Sequence, residues 1–342
     1  MGESSESKWA EVSTPVSSTL YAVERTRSGA VAVGSGGNIL VRRDGGWTTA
    51  DADGPGDAGN SLYAAASTDD GKRVWFGGSS GALGYYDVAA DEVVDYSAPE
   101  GITGSWKAIA VAGTAGREKV LVANGSAEVL SGTISGGKPE TVDWVYAASS
   151  DDGDGLGGGS SVHSIEAGPD APYATNSSGG LFHVVDGQWV HTGIEAAEST
   201  IYDVHVDEQV TLAVGANGYV YRRVDSSWEA SDVASGPLYG VGRDPKGLVA
   251  VGASGRLFRR VAPGQWTRVQ TPMDEPLRDL ELATDPELVV GGSGTILERP
   301  TPEKKSGGSN RDADSTPNSS SGPSKSSTPQ QSNTNEESRY NE

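Results

Sequence analysis

The chain has no cysteine in its 342 residues. Disulfide staples, thiolate nucleophiles and cysteine-ligated zinc are therefore excluded. Positive charge is scarce, with 26 Lys and Arg against 47 Asp and Glu and a formal charge of −21. Gripping a nucleic-acid backbone needs clustered Lys and Arg, so the sequence predicts no nucleic-acid partner. No apolar run approaches the ~18 residues of a spanning helix. The opening MGESSESKWAEV lacks a basic n-region, an apolar h-region and a twin-arginine signal. These absences predict no membrane insertion and a cytoplasmic location. Metal spacing is missing too. The four histidines, His163, His183, His191 and His205, form no HExxH or comparable set. Asp151-Asp152-Gly153-Asp154-Gly155 starts like a calcium loop but has no glutamate at the right offset, so it reads as a solvated loop. With no nucleophile–base motif either, the sequence assigns no catalytic residue, no cofactor and no metal site.

The acid is spread through the chain, and lysine is scarcer than arginine. Acidic, lysine-poor surfaces suit halophilic archaea that accumulate salt, because salt screens the self-repulsion. An ordinary acidic mesophilic protein is the plainer alternative.

What is abundant is glycine, and it is periodic. In residues 238–266, Leu238-Tyr239-Gly240-Val241 is a short apolar run and Arg243-Asp244-Pro245-Lys246-Gly247 a turn. Leu248 to Val251 is apolar throughout, as in a strand buried on both faces. Gly252-Ala253-Ser254-Gly255 signals a hairpin, and Pro263-Gly264 turns the chain into Trp266. The first-strand signal recurs at Leu20, Leu62, Trp106, Val162, Ile201, Leu238 and Leu277, with starts 42, 44, 56, 39, 37 and 39 residues apart. Such units cannot cover their own faces and must stack on copies of themselves. An aromatic residue opens each outer strand, at Trp9, Trp47, Tyr96, Trp144, Trp189, Trp228 and Trp266. Trp9 precedes the first inner strand, and the seventh unit has no outer strand of its own. The sequence therefore predicts an all-β, seven-bladed β-propeller over residues 8–300, closed by pairing residues 8–14 with the strand near residues 295–299. Residues 1–7 are expected to be disordered. Residues 301–342 contain no Leu, Ile, Val or Phe, which predicts a disordered, low-complexity C-terminal tail.

At Arg42-Arg43-Asp44-Gly45-Gly46-Trp47, after Val33-Gly34-Ser35-Gly36-Gly37-Asn38-Ile39-Leu40, the repeat resembles that of the plant and cyanobacterial photosystem II assembly factor. More distantly it resembles the Asp-box repeats of bacterial neuraminidases, within a WD-repeat-like superfamily. Arg43 replaces the Ser or Thr before the Asp, and other units keep only Asp186-Gly187-Gln188-Trp189 or Asp225-Ser226-Ser227-Trp228. The resemblance covers about residues 8–300 and implies the propeller architecture. It implies little about role, since propellers host unrelated functions.

The second position of each inner strand is the candidate site: Tyr21, Tyr63, Lys107, His163, Tyr202, Tyr239 and Arg278. These should share one level near the channel mouth, on the face that bears the glycine hairpins. They form either an amphipathic partner-binding ring or packing between adjacent blades. Arg42, Arg43, Arg222, Arg223, Arg259, Arg260 and Arg299 should lie toward the opposite face with Asp69, Asp70, Asp207, Glu208, Asp244 and Asp285. A bracing arginine–carboxylate network and an anion site are the two readings there. The function predicted is a monomeric, non-enzymatic platform for a protein partner. The alternative is a propeller enzyme or lectin-like protein acting on a glycan or small ligand, as a sialidase would.

Overall fold

A computed structural model describes residues 8–135, 141–148, 156–157, 160–194, 197 and 199–300. All lie in one compact unit, Met1–Pro302. The expectations for residues 1–7, for residues 301–342 and for most of the 149–161 loop fall outside the described residues.

Seven four-stranded antiparallel sheets form the seven blades of a β-propeller. The inner strands are Leu20–Thr26, Leu62–Ser67, Trp106–Ala112, Val162–Ala167, Ile201–Val206, Leu238–Asp244 and Leu277–Glu281, which begin at the seven residues marked by the repeat. In blades 1 to 6 the four strands follow one another in sequence. Blade 7 takes three strands from the C-terminal end and its outermost, Ala10–Glu11, from the N-terminal end. Ala10 pairs with Glu298 and Glu11 with Leu297, and the Val12 N–H donates to the Ile296 carbonyl at 3.1 Å. The predicted closure is therefore formed.

The second strands show why their sequence is apolar at every position. In Gly29–Gly34, Val31 and Val33 pack with Leu62, Val74 and Phe76 of blade 2. Ala30 and Ala32 face the other way, toward Leu288, Val290 and Ile296 of blade 7. Alternate side chains leave a strand on opposite faces, and both faces are buried here. The interior divides into seven apolar clusters, one at each blade–blade interface. Trp9 enters the interface of blades 6 and 7 beside Val249, Val251 and Leu257, as Trp47 enters that of blades 7 and 1.

Two aromatic residues depart from the expected phase. Trp144 sits in the middle of Thr141–Ala148 rather than at its start. Tyr96 follows the outer strand Glu92–Asp95 and packs toward blade 3, stacked on Trp75 at 5.4 Å between ring centres. It is not the equivalent of the other outer-strand aromatics.

The glycine hairpins lie on the face where the inner strands begin. Ser254 and Ser293 adopt φ of 57° and 54°, and the following Gly255 and Gly294 adopt 63° and 74°. A side chain at Gly255 would also meet the Met273 carbonyl oxygen at 2.0 Å. The fourth residue of the hairpin is thus glycine for two reasons, its left-handed φ and the close passage of the chain entering the next blade.

Candidate functional site

Each inner strand carries a β-bulge at its second residue. The register shifts between Leu20 and Ala22, Leu62 and Ala64, Trp106 and Ala108, and Val162 and Ser164. It shifts likewise between Ile201 and Asp203, Leu238 and Gly240, and Leu277 and Asp279. The extra residue is in turn Tyr21, Tyr63, Lys107, His163, Tyr202, Tyr239 and Arg278, the seven positions picked out by the repeat. A bulge leaves its residue out of the ladder and re-aims its side chain. All seven line the mouth of one central cavity of about 610 Å3, and all are half-buried.

Contacts between neighbours join the ring into two arcs. Tyr21 meets Tyr63 edge-on at 5.4 Å, and Lys107 Nζ lies 3.7 Å from the centre of the Tyr63 ring. On the other side, His163 meets Tyr202 at 5.3 Å, Tyr202 meets Tyr239 at 5.3 Å, and the Arg278 guanidinium covers Tyr239 at 4.4 Å. Each arc ends in a cation on a tyrosine face, an arrangement favoured by the ring quadrupole. Burial pushes the Lys107 pKa down. Burial, assisted by the Lys107 charge, lowers that of His163, which favours neutral imidazole.

Below the ring the channel turns acidic, which sequence reasoning missed. Asp203 and Asp279 occupy the third strand position; Glu24, Glu166, His205 and Glu281 occupy the fifth. All line the same cavity. Their oxygens are engaged across blade boundaries. Asp203 accepts from the Val241 N–H at 3.0 Å and from the Ser164 hydroxyl at 3.0 Å. Asp279 accepts from the Val23 N–H at 2.8 Å, and Glu166 from the Val206 N–H at 2.8 Å. Glu24 accepts from Ser67 and Glu281 from the Arg25 backbone in the same way. Apart from the Ser164 hydroxyl, which comes from the preceding blade, a carboxylate of one blade takes its donor from the next. The edge N–H groups that face the channel are thereby satisfied.

Burial, then the Glu166 charge, raises the Asp203 carboxyl to about 7. Burial, then the Asp203 charge, raises Asp279 to about 8. Glu24 is lifted well above the usual range by burial and by Glu281 and Asp279. Burial opposes the charging of His205, but the flanking Glu166, Asp203 and Asp207 outweigh it and raise its pKa. The signal for this tier was present in the sequence as polar residues within short apolar strands. Strict alternation could not place it, because the bulge resets the count after the second residue.

The arginine–carboxylate network of the opposite face is built around Asp244, which accepts from Arg259 at 2.6 Å and from Arg299 at 2.8 Å. Arg299 also pairs with Glu287 and lies over the Trp9 ring at 5.0 Å. Asp244 is held down to about 2, its burial outweighed by Arg259 and Arg299. Arg42 joins blade 1 to blade 7 through Glu298 at 2.8 Å, and Trp47 donates to the same carboxylate. Arg43 pairs with Asp91, Arg222 with Glu229, and Arg223 donates to the Tyr173 hydroxyl. Of the turn carboxylates expected in the network, Asp244 joins it and Asp207 pairs with Arg243 at 2.6 Å. Arg42, Arg259 and Arg299 brace turns and blade boundaries in this way.

The four histidines do not converge. His183 stacks on Tyr173, His191 meets Phe182, and only His163 and His205 line the channel. Among the described residues, no cluster of three or more His, Asp or Glu is arranged to hold a metal ion. Among the same residues, no helix is long and apolar enough to cross a membrane.

No family model matches the chain, and no curated protein matches it. Solved structures do. A structure of YCF48 bound to D1 peptide aligns with a TM-score of 0.68 at 14% identity, covering 88% of this chain and 99% of that one. Virginiamycin B lyase from Staphylococcus aureus, in a catalytically inactive form with quinupristin, aligns at 0.70 and 13% identity, covering 86% and 100%. The WD40 β-propeller domain of Doa1 aligns at 0.66 and 13%, covering 88% and 98%. One binds a peptide and another is a lyase, so the likeness is one of fold.

Proposed function

We propose that this protein is a non-enzymatic interaction platform whose protein partner docks on the channel mouth. The observation that carries the proposal is the set of seven bulges. Each inner strand departs from its ladder at the same position, and each departure turns a Tyr, Lys, His or Arg toward one ring. Packing between blades alone would be met by small apolar residues at that level, as Ala22, Ala64 and Ala108 are at the next. Tyrosine combines large contact area with a polar tip and suits recognition. The peptide-bound YCF48 structure and the WD40 domain support a protein partner. The −21 charge fits a host with a salt-rich interior.

The lyase likeness favours the alternative, a propeller enzyme or lectin-like protein taking a small ligand. Against it stands the use of the channel carboxylates. Asp203, Asp279 and Glu166 accept backbone hydrogen bonds that join blades, an occupation ill suited to proton transfer.

The test is affinity capture from the native host at its own salt concentration, with Tyr21, Tyr63, Tyr202 and Tyr239 changed singly to alanine. Variants that keep their melting temperature should lose captured partners. Full retention by every variant would place the site elsewhere. Hydrolysis of a glycoside or lactone that is abolished by changing a channel acid would overturn the platform reading.

A further inference from the structure

If the mouth is the platform's docking surface, its charge balance sharpens the nature of the partner. Several buried or half-buried arginines elsewhere meet carboxylates, Arg42 with Glu298, Arg243 with Asp207, Arg259 and Arg299 with Asp244, while Arg223 and Arg256 meet hydroxyls. In a chain with 47 acidic and 26 basic residues, such pairing is easy to satisfy. Lys107 and Arg278 are different. Among the described residues neither forms a salt bridge; each lies on a tyrosine face at the mouth instead. The Arg278 Nε is buried with no hydrogen-bond partner, and burial is what acts on the Lys107 ammonium. Two half-buried cations with no salt-bridge partner carry part of the cost of desolvation, which a ligand's charge would offset.

They stand at well-separated points of the ring, with Tyr21 and Tyr63 between them on one side. On the other side lie His163, Tyr202 and Tyr239. All seven side chains border the same cavity. We infer that the mouth is an anion receptor, and that Lys107 and Arg278 bind carboxylates presented by an acidic segment of the partner; this rests on the platform reading. A carboxylate paired with a half-buried Lys or Arg makes a charge-assisted hydrogen bond, stronger than a neutral one. The tyrosine hydroxyls offer neutral donors beside the cations. Acidic side chains and a chain-terminal carboxylate share this chemistry, and the test separates them.

The probe is a nine-residue peptide of alternating Glu and Ala, acetylated and amidated, with Gln-for-Glu and Lys-for-Glu counterparts and a Gln version with a free C-terminus. Binding is measured by NMR titration on the full chain. The Glu peptide should bind about tenfold more tightly than the blocked Gln peptide, and the Lys peptide should not bind. Lys107→Gln and Arg278→Gln should each remove most of that advantage. Lys107→Arg and Arg278→Lys, which keep the charge, should retain it. Preference for the free-terminus Gln peptide over the Glu peptide would assign the site to a chain end rather than to acidic side chains. Equal binding of the blocked Glu and Gln peptides, with no gain from a free terminus, would overturn the inference. So would a Gln variant that folds and binds the Glu peptide like wild type. The tyrosine variants separate the two failures: if they lose the partner while the Gln variants keep it, the platform stands and the anion receptor falls.

Discussion

Trp9 closes the ring, and its removal should open it. The side chain is 5% exposed, packed among Val249, Val251, Leu257 and Leu277, under the Arg299 guanidinium. Truncating a buried tryptophan to alanine costs about 3–5 kcal/mol, from lost transfer energy and the cavity left behind. For a domain larger than 200 residues each kcal/mol lowers the melting temperature by roughly 2–4 °C, nearer the lower figure as size grows. Trp9→Ala should therefore melt about 6–10 °C below wild type, as read by circular dichroism. Trp9→Phe should cost less, because the indole N–H has no hydrogen-bond partner to lose. Lys8→Ala, at an exposed neighbour, is the control and should change nothing. Deleting residues 1–14 goes further. It removes the strand pairing, the Val12–Ile296 hydrogen bond and the Thr14 hydroxyl bond to the Gly294 carbonyl at 2.8 Å. At about 1 kcal/mol per hydrogen bond beyond the tryptophan, the sum approaches the ~5–15 kcal/mol that holds an ordinary domain together. The truncated protein should be largely unfolded or prone to pair its open edge with another chain. A Trp9→Ala protein melting within about 2 °C of wild type, less than a single kcal/mol would shift it, would refute the reasoning, since the N-terminal strand would then only decorate a blade that is complete without it.

Stability should fall as pH rises through neutrality. Asp279 is lifted to about 8 in the folded protein, above its unfolded value. Its contribution is therefore full below about pH 4 and lost as pH rises through 8. Asp279→Asn should flatten the decline in melting temperature between about pH 4 and 8, and an unchanged slope would contradict the assignment. The opposite sign applies to Asp244, lowered to about 2, whose stabilisation is present above about pH 4 and lost as pH falls toward 2. Asp244→Ala leaves Arg259 and Arg299 without their shared carboxylate and should cost about 3–5 kcal/mol in urea unfolding; a loss below about 1 kcal/mol, the range of an exposed pair, would show the network to be ornamental. With −21 net charge, the melting temperature should rise with potassium chloride into the molar range, whereas a flat response would remove self-repulsion as a significant effect.

The architecture was open to sequence reading because one unit is repeated seven times in register. A lone Gly-x-x-Gly hairpin says little, but five in register, at residues 34–37, 78–81, 215–218, 252–255 and 291–294, mark the same turn in successive units. Closure was legible from one oddity, an aromatic residue ahead of the first inner strand. The ring residues were legible as a column in the repeat. The reason they reach the channel was not, because a bulge is a backbone event with no residue signature of its own across Tyr, Lys, His and Arg. The acidic tier was hidden for the same reason. Asp203 and Asp279 look like surface alternation until the bulge turns them into the channel. Tyr96 misled because it lies near the expected position in sequence while packing toward the other neighbouring blade.

A partner docked as proposed covers the bulged ring. Hydrogen exchange of the protein with and without its captured partner tests it most directly. Bulged residues are left out of the ladder, so the segments around Tyr21, Tyr63, Tyr202 and Tyr239 should exchange quickly in the free protein. They should slow by about tenfold or more on binding, while the turns at Asp70 and Lys246 on the opposite face stay unchanged. Protection confined to that opposite face or to the outer strands, with the ring segments unaffected, would contradict the account.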